Sequence, residues 1–339
     1  NQLSANETKE FLLQMITKAL DNYLMCIIYS PSFSYEVVPR ILLLFFDIGR
    51  HFVPEEDDKK NQSITLSANQ KAVVLQAIRD SMLSKIDKVK ASVWLNAITQ
   101  LTSRIEQPKS LEDVLFSLIK MSAIKYPESS LWHLISIKNS TVSSRKPKWE
   151  PIMEYIKRDL KKEEQSRFEA IANNFASISH HIIELCTVNP GSSKSRVTKA
   201  SHICPKLVSD LKDCKVLMPL LSTLTVNIDS SNSQDSPNKI EIIEMGSKIV
   251  LFTSLQKPRK VEFKSRNGRS YHYLCKKDED LRKDMRMMEF ATFINRILTN
   301  NRQCRQKNLR MVTYAVICLN EYCGMMEWVE NTKSFRTII

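Results

Sequence analysis

Apolar positions recur at helical spacing through the first two thirds of the chain. Residues 9–30 set Phe11, Met15, Leu20, Leu24 and Ile27 along one stripe. Further helices are predicted over 34–52, 69–87, 92–105, 110–127 and 129–137, separated by short polar breaks containing Pro, Ser or Asn. Helix pairs that return about every 35–45 residues imply an α-solenoid of TPR or HEAT type, with no repeat consensus matched. From residue 148 the helices lengthen, one over 149–186 and one over 206–224. The loop between them holds GSSKS at 191–195, which has a single glycine and helices on both sides. A phosphate loop needs GxxxxGK[ST] between a strand and a helix, so this stretch reads as an ordinary loop.

The pattern changes after a polar linker at 226–239. Short β-rich runs follow at 248–255, 260–264, 270–276, 309–319 and 325–329, and Asn267-Gly268 marks a hairpin turn. A charged helix separates the third run from the fourth. Strands are expected only after the linker. The fold class is therefore mainly α with a C-terminal α+β lobe, a solenoid followed by a five-stranded antiparallel sheet and one main helix.

Composition sharpens this reading. At 339 residues the chain has room for about two domains. It holds five glycines, where average usage gives roughly twenty-four. That deficit argues against α/β enzymes built on glycine loops. The chain does not open with Met or a charged-then-apolar leader, and its longest apolar run, 41–48, is broken by Asp47. A soluble piece of something larger is expected. The eight cysteines form no CxxC pair, so reduced thiols are expected. His202, Cys204 and Cys214 come nearest to a metal cluster, and no second ligand pair completes it. The net charge of +13 suits a polyanionic partner, but solvated helix faces such as 157–164 account for most of it. Direct DNA binding by this segment is not expected.

The candidate chemistry lies in YLCKKDEDLRKDMRMMEF, residues 273–290, with five charges of each sign. Leu281, Met285 and Met288 keep the spacing of a buried stripe, and Asp284 lies on that stripe. Three antiparallel strands, a helix and two more strands is the plan of a kinase amino-terminal lobe. There a strand-three lysine holds nucleotide phosphate and an acid on the next helix holds the lysine. Lys276 ends the third strand on the face of His272 and Leu274. Two readings fit: Asp284 pairs with Lys276, or Lys276 is a solvated strand end and Asp284 an N-terminal-turn acid favoured by the helix dipole. GxGxxG and VAIK are absent, which counts against a conventional protein kinase.

SLQKPRK (254–260), LCKKDEDLRKDMRMMEF (274–290) and TYAVICLNEYCGMMEWVENT (313–332) resemble the phosphatidylinositol-3-kinase-related protein kinases. Upstream, NYLMCIIYSPSFSYEVVPRILLLFFDIG, WLNAITQLTSRI and IKYPESSLW resemble that family's FAT solenoid, while IIELC and KLVSDLKDC resemble the FRB-like helices before the lobe. The resemblance implies domains at 1–147 (FAT-type solenoid), 148–225 (FRB-like segment), 226–239 (linker) and 240–339 (kinase N-lobe). It implies catalytic roles for Lys276, Asp284 and Glu279, with Glu279 and Asp280 as the acidic pair of an E/D-D-L-R motif. Nucleotide contacts fall on Ser254, Leu255, Gln256 and Lys257 in place of a glycine-rich loop, on Met326 as gatekeeper, and on Glu327, Trp328 and Val329 as hinge. Taken without the resemblance, MMEWV reads as a buried edge strand. Lys277-Asp278 departs from close relatives, outside the contact positions.

The resemblance also implies ATP and Mg²⁺, with the metal ligands and the G-D-R-H-x-x-N catalytic loop in a C-lobe that residues 1–339 do not contain. It implies checkpoint signalling in DNA damage and replication stress, protein substrates with Ser/Thr-Gln sites, a nuclear location, regulatory and activator partners, the rest of the same kinase chain, and homodimer formation through the FAT/kinase region. A helical-repeat scaffold with a catalytically dead lobe is the competing reading. An intact catalytic loop beyond residue 339 separates the two.

Overall fold

The computed structural model describes residues 5–53, 68–188, 196–228, 239–254, 256–333 and 338. Among the described residues nine α-helices come first: α1 (Ala5–Tyr29), α2 (Ser34–Leu42), α3 (Ala68–Ile86), α4 (Ala91–Asn96), α5 (Ile98–Thr102), α6 (Lys109–Lys125), α7 (Pro127–Lys138), α8 (Trp149–Lys157) and α9 (Lys162–Thr187). Mixed structure follows: β1 (Val197–Lys199), α10 (Ala200–Ile203), α11 (Pro205–Asp213), β2 (Val216–Leu217) and α12 (Leu221–Leu224). The lobe is then β3 (Glu241–Met245), β4 (Lys248–Leu251), β5 (Arg259–Ser265), β6 (Ser270–Lys277), α13 (Arg282–Asn300), α14 (Arg302–Gln306), β7 (Val316–Cys318) and β8 (Cys323–Glu327). The GSSKS stretch, residues 229–238 of the linker and Leu255 lie outside the described residues.

Two compact units divide the chain. The first takes the described parts of Asn1–Tyr126, Glu150–Asp159 and Val226–Ser236. Leu20, Leu24 and Ile27 of α1 are fully enclosed in it, as are Ile41, Phe45, Phe46 and Trp94. Against α3, the Asp21 carboxylate accepts from Ser81 Oγ (2.5 Å) and Lys85 Nζ (2.7 Å). Phe11 and Met15, expected on the buried stripe, are 57% and 55% exposed. The step from Met15 to Leu20 is five residues, which turns a helix about 140° off the stripe. Ile16, four before Leu20, takes the inward place. Phe11–Tyr29 is apolar enough by mean hydropathy (1.3) to cross a membrane, although no unbroken apolar run suggested it. Its enclosed residues serve this unit's core. The helix predicted over 92–105 breaks at Ala97 (φ −103°, ψ 2°). Beside the break Asn96 clasps the chain, donating to Val226 O (2.8 Å) and accepting from Val226 N (3.0 Å).

The second unit takes Pro127–Trp149, Leu160–Thr225 and Pro237–Ile339, again in their described parts. Helices α7 and α9 meet through an edge-on pair, Trp132 and Phe175, at 5.0 Å. The helix predicted over 149–186 is two, because Lys161 is extended (ψ 156°) and its backbone N–H donates to Glu164 Oε2 (3.0 Å), starting α9 with a cap. The helix predicted over 206–224 is also broken. Pro219 has no N–H to give a helix and biases Met218 toward extended backbone. The stretch instead takes hydrogen bonds from α7, with Trp132 Nε1 donating to Leu217 O (2.7 Å) and Ser129 Oγ to Thr223 O (2.6 Å).

The sheet has eight strands where five were expected. The main path runs β1-β4-β5-β6-β8-β7, with β3 paired to β5 and β2 to β3. Every pairing is antiparallel. Strands β1 and β2 precede the linker, against expectation, because β4 and β3 would otherwise be open edges with unpaired backbone groups. The run at 309–319 yields strand only at Val316–Cys318. The Asn267-Gly268 signal does close the β5–β6 hairpin. Gly268 takes φ 78° and donates to Ser265 O (2.9 Å), a three-residue loop ending in the left-handed region.

Register sorts the lobe's side chains onto two faces. Arg259, Val261, Tyr273, Cys275 and Met325 share one face and are buried. Lys260, Leu274, Lys276 and Met326 share the other. On that second face Leu281, Val316, Cys318 and Met326 form a core, against which Leu274, Met285 and Met288 of the predicted stripe pack. Gly324 lies opposite Lys276 in the β6–β8 register. A Cβ there would meet Ile317 O at 2.4 Å and Leu281 Cδ1 at 2.7 Å. Gly324→Ala is expected to destabilise the lobe by about 1–3 kcal/mol through overpacking against backbone. Gly268→Ala, in open space, is expected to lose about 1–2 kcal/mol through its left-handed φ alone. Thermal unfolding checks both, and only the first is expected to reduce hydrogen-exchange protection along β6.

Candidate active site

Lys276 is the penultimate residue of β6, and its ammonium meets Glu279 Oε2 at 3.0 Å with the two side chains 19% and 31% exposed. The chain returns to make this contact through Asp278, which adopts φ 55°. A non-glycine residue there costs of order 1–3 kcal/mol and persists only where its surroundings hold it. Two contacts do so: Glu279 N donates to Tyr322 O (3.3 Å), and the ion pair closes over the turn. Asp280 turns the other way and grips Arg282 with both oxygens, each at 2.8 Å. The Arg282 guanidinium, outweighing burial, holds the Asp280 carboxyl below its ordinary value.

The expected Lys276–Asp284 pair is not formed. Asp284 is half-buried in the first turn of α13, and among the described residues no ion pair joins it to Lys276. Glu279 reaches the ammonium first because the 277–280 turn folds it back toward the strand. Burial pushes the Cys318 thiol up to about 12, with the charge of Asp280 and a smaller share from Asp284 acting in the same direction.

The hinge candidates lie at the end of β8. Met326 is 9% exposed and belongs to the core under α13. Glu327 N donates to Ala315 O (2.8 Å), yet Ala315 N turns to the Glu327 side chain, 3.1 Å from Oε2. That diversion leaves the Glu327 carbonyl without the ladder donor that Ala315 would have supplied. Burial raises the Glu327 carboxyl above its ordinary value, and the Ala315 N–H works against that rise. Trp328 N is taken by His272 O (2.8 Å), while Val329 N has no backbone acceptor among the described residues. One free carbonyl and one free amide two residues apart form a donor–acceptor edge. The Trp328 ring stacks on Phe252 (5.9 Å, 24°), and the Lys260 ammonium sits 4.2 Å from its centre.

The loop before β5 is tight. Lys257 N donates to Ser254 O (2.9 Å), Lys257 takes φ 45°, and Phe252 N donates to Pro258 O (3.0 Å). Ser254 and Lys257 are exposed and Gln256 is half-buried.

Sequence reasoning missed Lys260, Phe252 and Glu321. Alternation pointed to the first two, since Lys260 pairs with Leu274 and so shares the face of Lys276. Glu321 gave no such signal. It sits in the β7–β8 turn and accepts from Ser140 Oγ (2.6 Å), Thr141 N (2.9 Å) and Thr141 Oγ1 (3.2 Å), with Arg145 Nε at 3.5 Å. The neighbouring Tyr322 carbonyl is the one that Glu279 N reaches. The end of α7 thus holds the turn that holds the Lys276 partner.

A sheet that buries one face and carries a lysine–carboxylate pair beside a helix on the other is the build of a kinase amino-terminal lobe. Residues 270–339 match the model of the family Phosphatidylinositol 3- and 4-kinase, and residues 77–179 match that of Serine/threonine-protein kinase ATR-like, HEAT repeats. The chain is 28% identical over 351 aligned residues to protein kinase rad3 of Schizosaccharomyces pombe, covering 100% of this chain and 14% of that protein. It is 30% identical over 320 residues to serine/threonine-protein kinase ATR of Oryza sativa subsp. indica, covering 90% of this chain and 11% of that one. The open conformation of CtTel1 superposes on 97% of the chain with TM-score 0.76 at 17% identity, over 12% of that structure. The FAT and kinase domain of CtTel1 gives TM-score 0.75 at 18% identity, over 97% of this chain and 21% of that one. These two likenesses fix the fold. The chain is similar to a partial FAT and kinase N-lobe region of the ATR-like phosphatidylinositol-3-kinase-related protein kinases, and spans 11–14% of the length of these curated relatives.

Glu321→Ala is expected to cost about 2–4 kcal/mol by removing a nearly buried carboxylate from its donors. Burial raises the Glu321 carboxyl, and the Ser140 and Thr141 donors outweigh it, so its folded value lies below the ordinary 4.5. The contribution is therefore complete above pH 4.5 and is lost as pH falls below it. Hydrogen exchange at the amides of Glu279 and Cys323 is expected to quicken in the mutant.

Proposed function

We propose that this segment supplies the scaffold and one wall of the ATP site in a serine/threonine protein kinase of the checkpoint type, and is not catalytic alone. Its domains follow the order FAT-type solenoid (1–147), FRB-like helices (148–225), linker (226–239) and N-lobe (240–339). The observation that carries the proposal is the Lys276–Glu279 pair at 3.0 Å, on the sheet face that ends in the open Glu327 carbonyl and Val329 amide.

ATP would lay its adenine edge on those two backbone groups, beside Met326 and the Trp328 ring. Ser254, Leu255, Gln256 and Lys257 would cover the phosphates. Lys276 would hold phosphate oxygens whose charge must be positioned during transfer. Glu279 fixes the ammonium before ATP arrives, and Asp284 on α13 is a second acid for the same wall. The Mg²⁺ that accompanies ATP would be held by residues outside this segment, because the carboxylates next to Lys276 are already engaged by Lys276 and Arg282. Protein substrates at Ser/Thr-Gln sites, a nuclear location, regulatory and activator partners and a homodimer through the FAT/kinase region complete the reading. The relatives named rad3 and ATR support the protein-kinase class, and a solved structure titled as a complete CtTel1 dimer with C2 symmetry supports the dimer.

In the full-length kinase, Lys276→Met is expected to lower phosphoryl transfer by orders of magnitude while thermal unfolding stays close to wild type. Wild-type turnover by a folded Lys276→Met protein refutes the assignment. Glu279→Gln and Asp284→Asn rank the two acids. A pair broken from one side costs about 3–5 kcal/mol when buried and under about 1 when exposed. The Lys276–Glu279 pair lies between, so Glu279→Gln is expected to reduce kcat/KM for ATP more than Asp284→Asn. The reverse order in kinetic assays would return the pairing role to Asp284.

A further inference from the structure

A charged cluster outside the lobe's chemistry lies near the end of α9. His180 and Glu184 are one helical turn apart, and His180 Nε2 stands 3.4 Å from Glu184 Oε1. His181 Nδ1 stands 2.8 Å from Glu184 Oε2. One ligand atom from each of the three residues lies within 4.8 Å of the others. The other ring nitrogen of His181, Nε2, is 3.2 Å from Asp210 Oδ2 on α11. Ser177 Oγ donates to that same oxygen at 2.7 Å, which fixes the carboxylate in place.

This arrangement poses a proton problem. Each nitrogen of the His181 ring faces a carboxylate oxygen, so the ring needs a positive centre at both ends. A doubly protonated imidazolium supplies that, and so does a neutral ring with its Nε2 proton on Asp210 and a cation at Nδ1. The second form is the carboxylate–histidine–metal arrangement, in which an outer carboxylate sets the tautomer and aims the ligating lone pair. The spacing also suits a metal. Ligands about 2.0–2.1 Å from a tetrahedral zinc are about 3.4 Å apart. The His180 nitrogen stands at about that distance from Glu184 Oε1, while the His181 nitrogen is about half an ångström closer to Oε2, so the two rings meet different oxygens of one carboxylate. Imidazole nitrogen and carboxylate oxygen are donors that zinc accepts. His181 and Glu184 also line a cleft of about 360 Å³, together with Cys204 and Lys206.

We propose that His180 Nε2, His181 Nδ1 and a Glu184 carboxylate oxygen form a binding site for a divalent transition metal of the zinc class, with Asp210 as the residue that orients His181. The three ligands lie on α9 just before the carbonyls of Cys186 and Val188, which receive the Arg259 guanidinium of the lobe sheet, and the His181–Asp210 contact links the site to α11. The site is structural, a clip on the helix end that anchors β5.

The test uses the full-length kinase, stripped with chelator and titrated with Zn²⁺ against a chromophoric competitor, and with Co²⁺ for its visible spectrum. Wild type is expected to bind one more Zn²⁺ per chain than His180→Ala. Because the His180 side chain is 64% exposed, the fold should survive, and an unchanged thermal melt of the metal-free mutant verifies it. Glu184→Gln provides a second variant and is expected to lose the same equivalent. Asp210→Asn is expected to keep the site with affinity weakened about 10–100-fold. Equal zinc content and equal affinity in wild type, His180→Ala and Glu184→Gln would overturn the proposal and leave His181 as an imidazolium held between two carboxylates.

Discussion

The lobe depends on one buried charge. Arg259 opens β5 with 2% of its surface exposed, and its guanidinium donates to the carbonyls of Cys186 and Val188 at the end of α9. A buried cation without compensation costs several kcal/mol. Here the compensation is the carboxyl end of a 26-residue helix, whose last carbonyls lack intrahelical donors and carry the negative pole of the helix. Both terminal nitrogens of the guanidinium are thereby met, while its buried Nε has no partner among the described residues. Lysine would not substitute well, since two carbonyls are met by the planar fork of one arginine. The residue also fixes where the sheet begins relative to α9, and the loop expected over the phosphates ends just before it.

From that anchor the two faces of the sheet acquire separate duties. The face of Arg259, Tyr273 and Cys275 is closed, and Tyr273 Oη reaches Pro219 O at 3.2 Å. Burial holds the Tyr273 phenol well above its ordinary value, and Cys186 shifts the same way through its thiol contact with Cys275, so neither group ionises near neutral pH. The opposite face carries Lys260 and Lys276 beside the smaller core that it forms with α13. Period-two alternation alone produces this division. It is why a lysine, a tryptophan and an open strand end come to share one surface.

How much of this was legible follows from which interactions are local. Helical periodicity and the Asn267-Gly268 turn are properties of short windows, and α6, α7 and the β5–β6 hairpin came out as the residues suggest. The helix breaks after Asn96 and Asp213 were not visible, because they involve partners distant in sequence or a proline whose effect competes with strong periodicity, and the break after Lys157 rests on a short local cap between Lys161 and Glu164. Strands β1 and β2 are three and two residues long, too short for any pattern, and pair with edges that would otherwise be open. In the site, Lys276 and Glu279 were identified as residues, but their pairing was not. The decisive feature is Asp278 at φ 55°, which no side chain in the 277–280 turn advertises.

That turn shows why the Lys276 partner is an acid outside the helix. A carboxylate on α13 would move with the helix, whereas Glu279 is fixed by its own backbone to Tyr322, and the neighbouring Glu321 to Ser140 and Thr141. The ammonium is thus positioned from the helical scaffold through the β7–β8 turn, independently of where α13 stands. Asp284 keeps the freedom that Glu279 gives up. The lysine is held by an acid fixed to the scaffold, while Asp284 is carried by a helix whose other side leaves Met287, Phe290 and Ile297 at least half open to solvent.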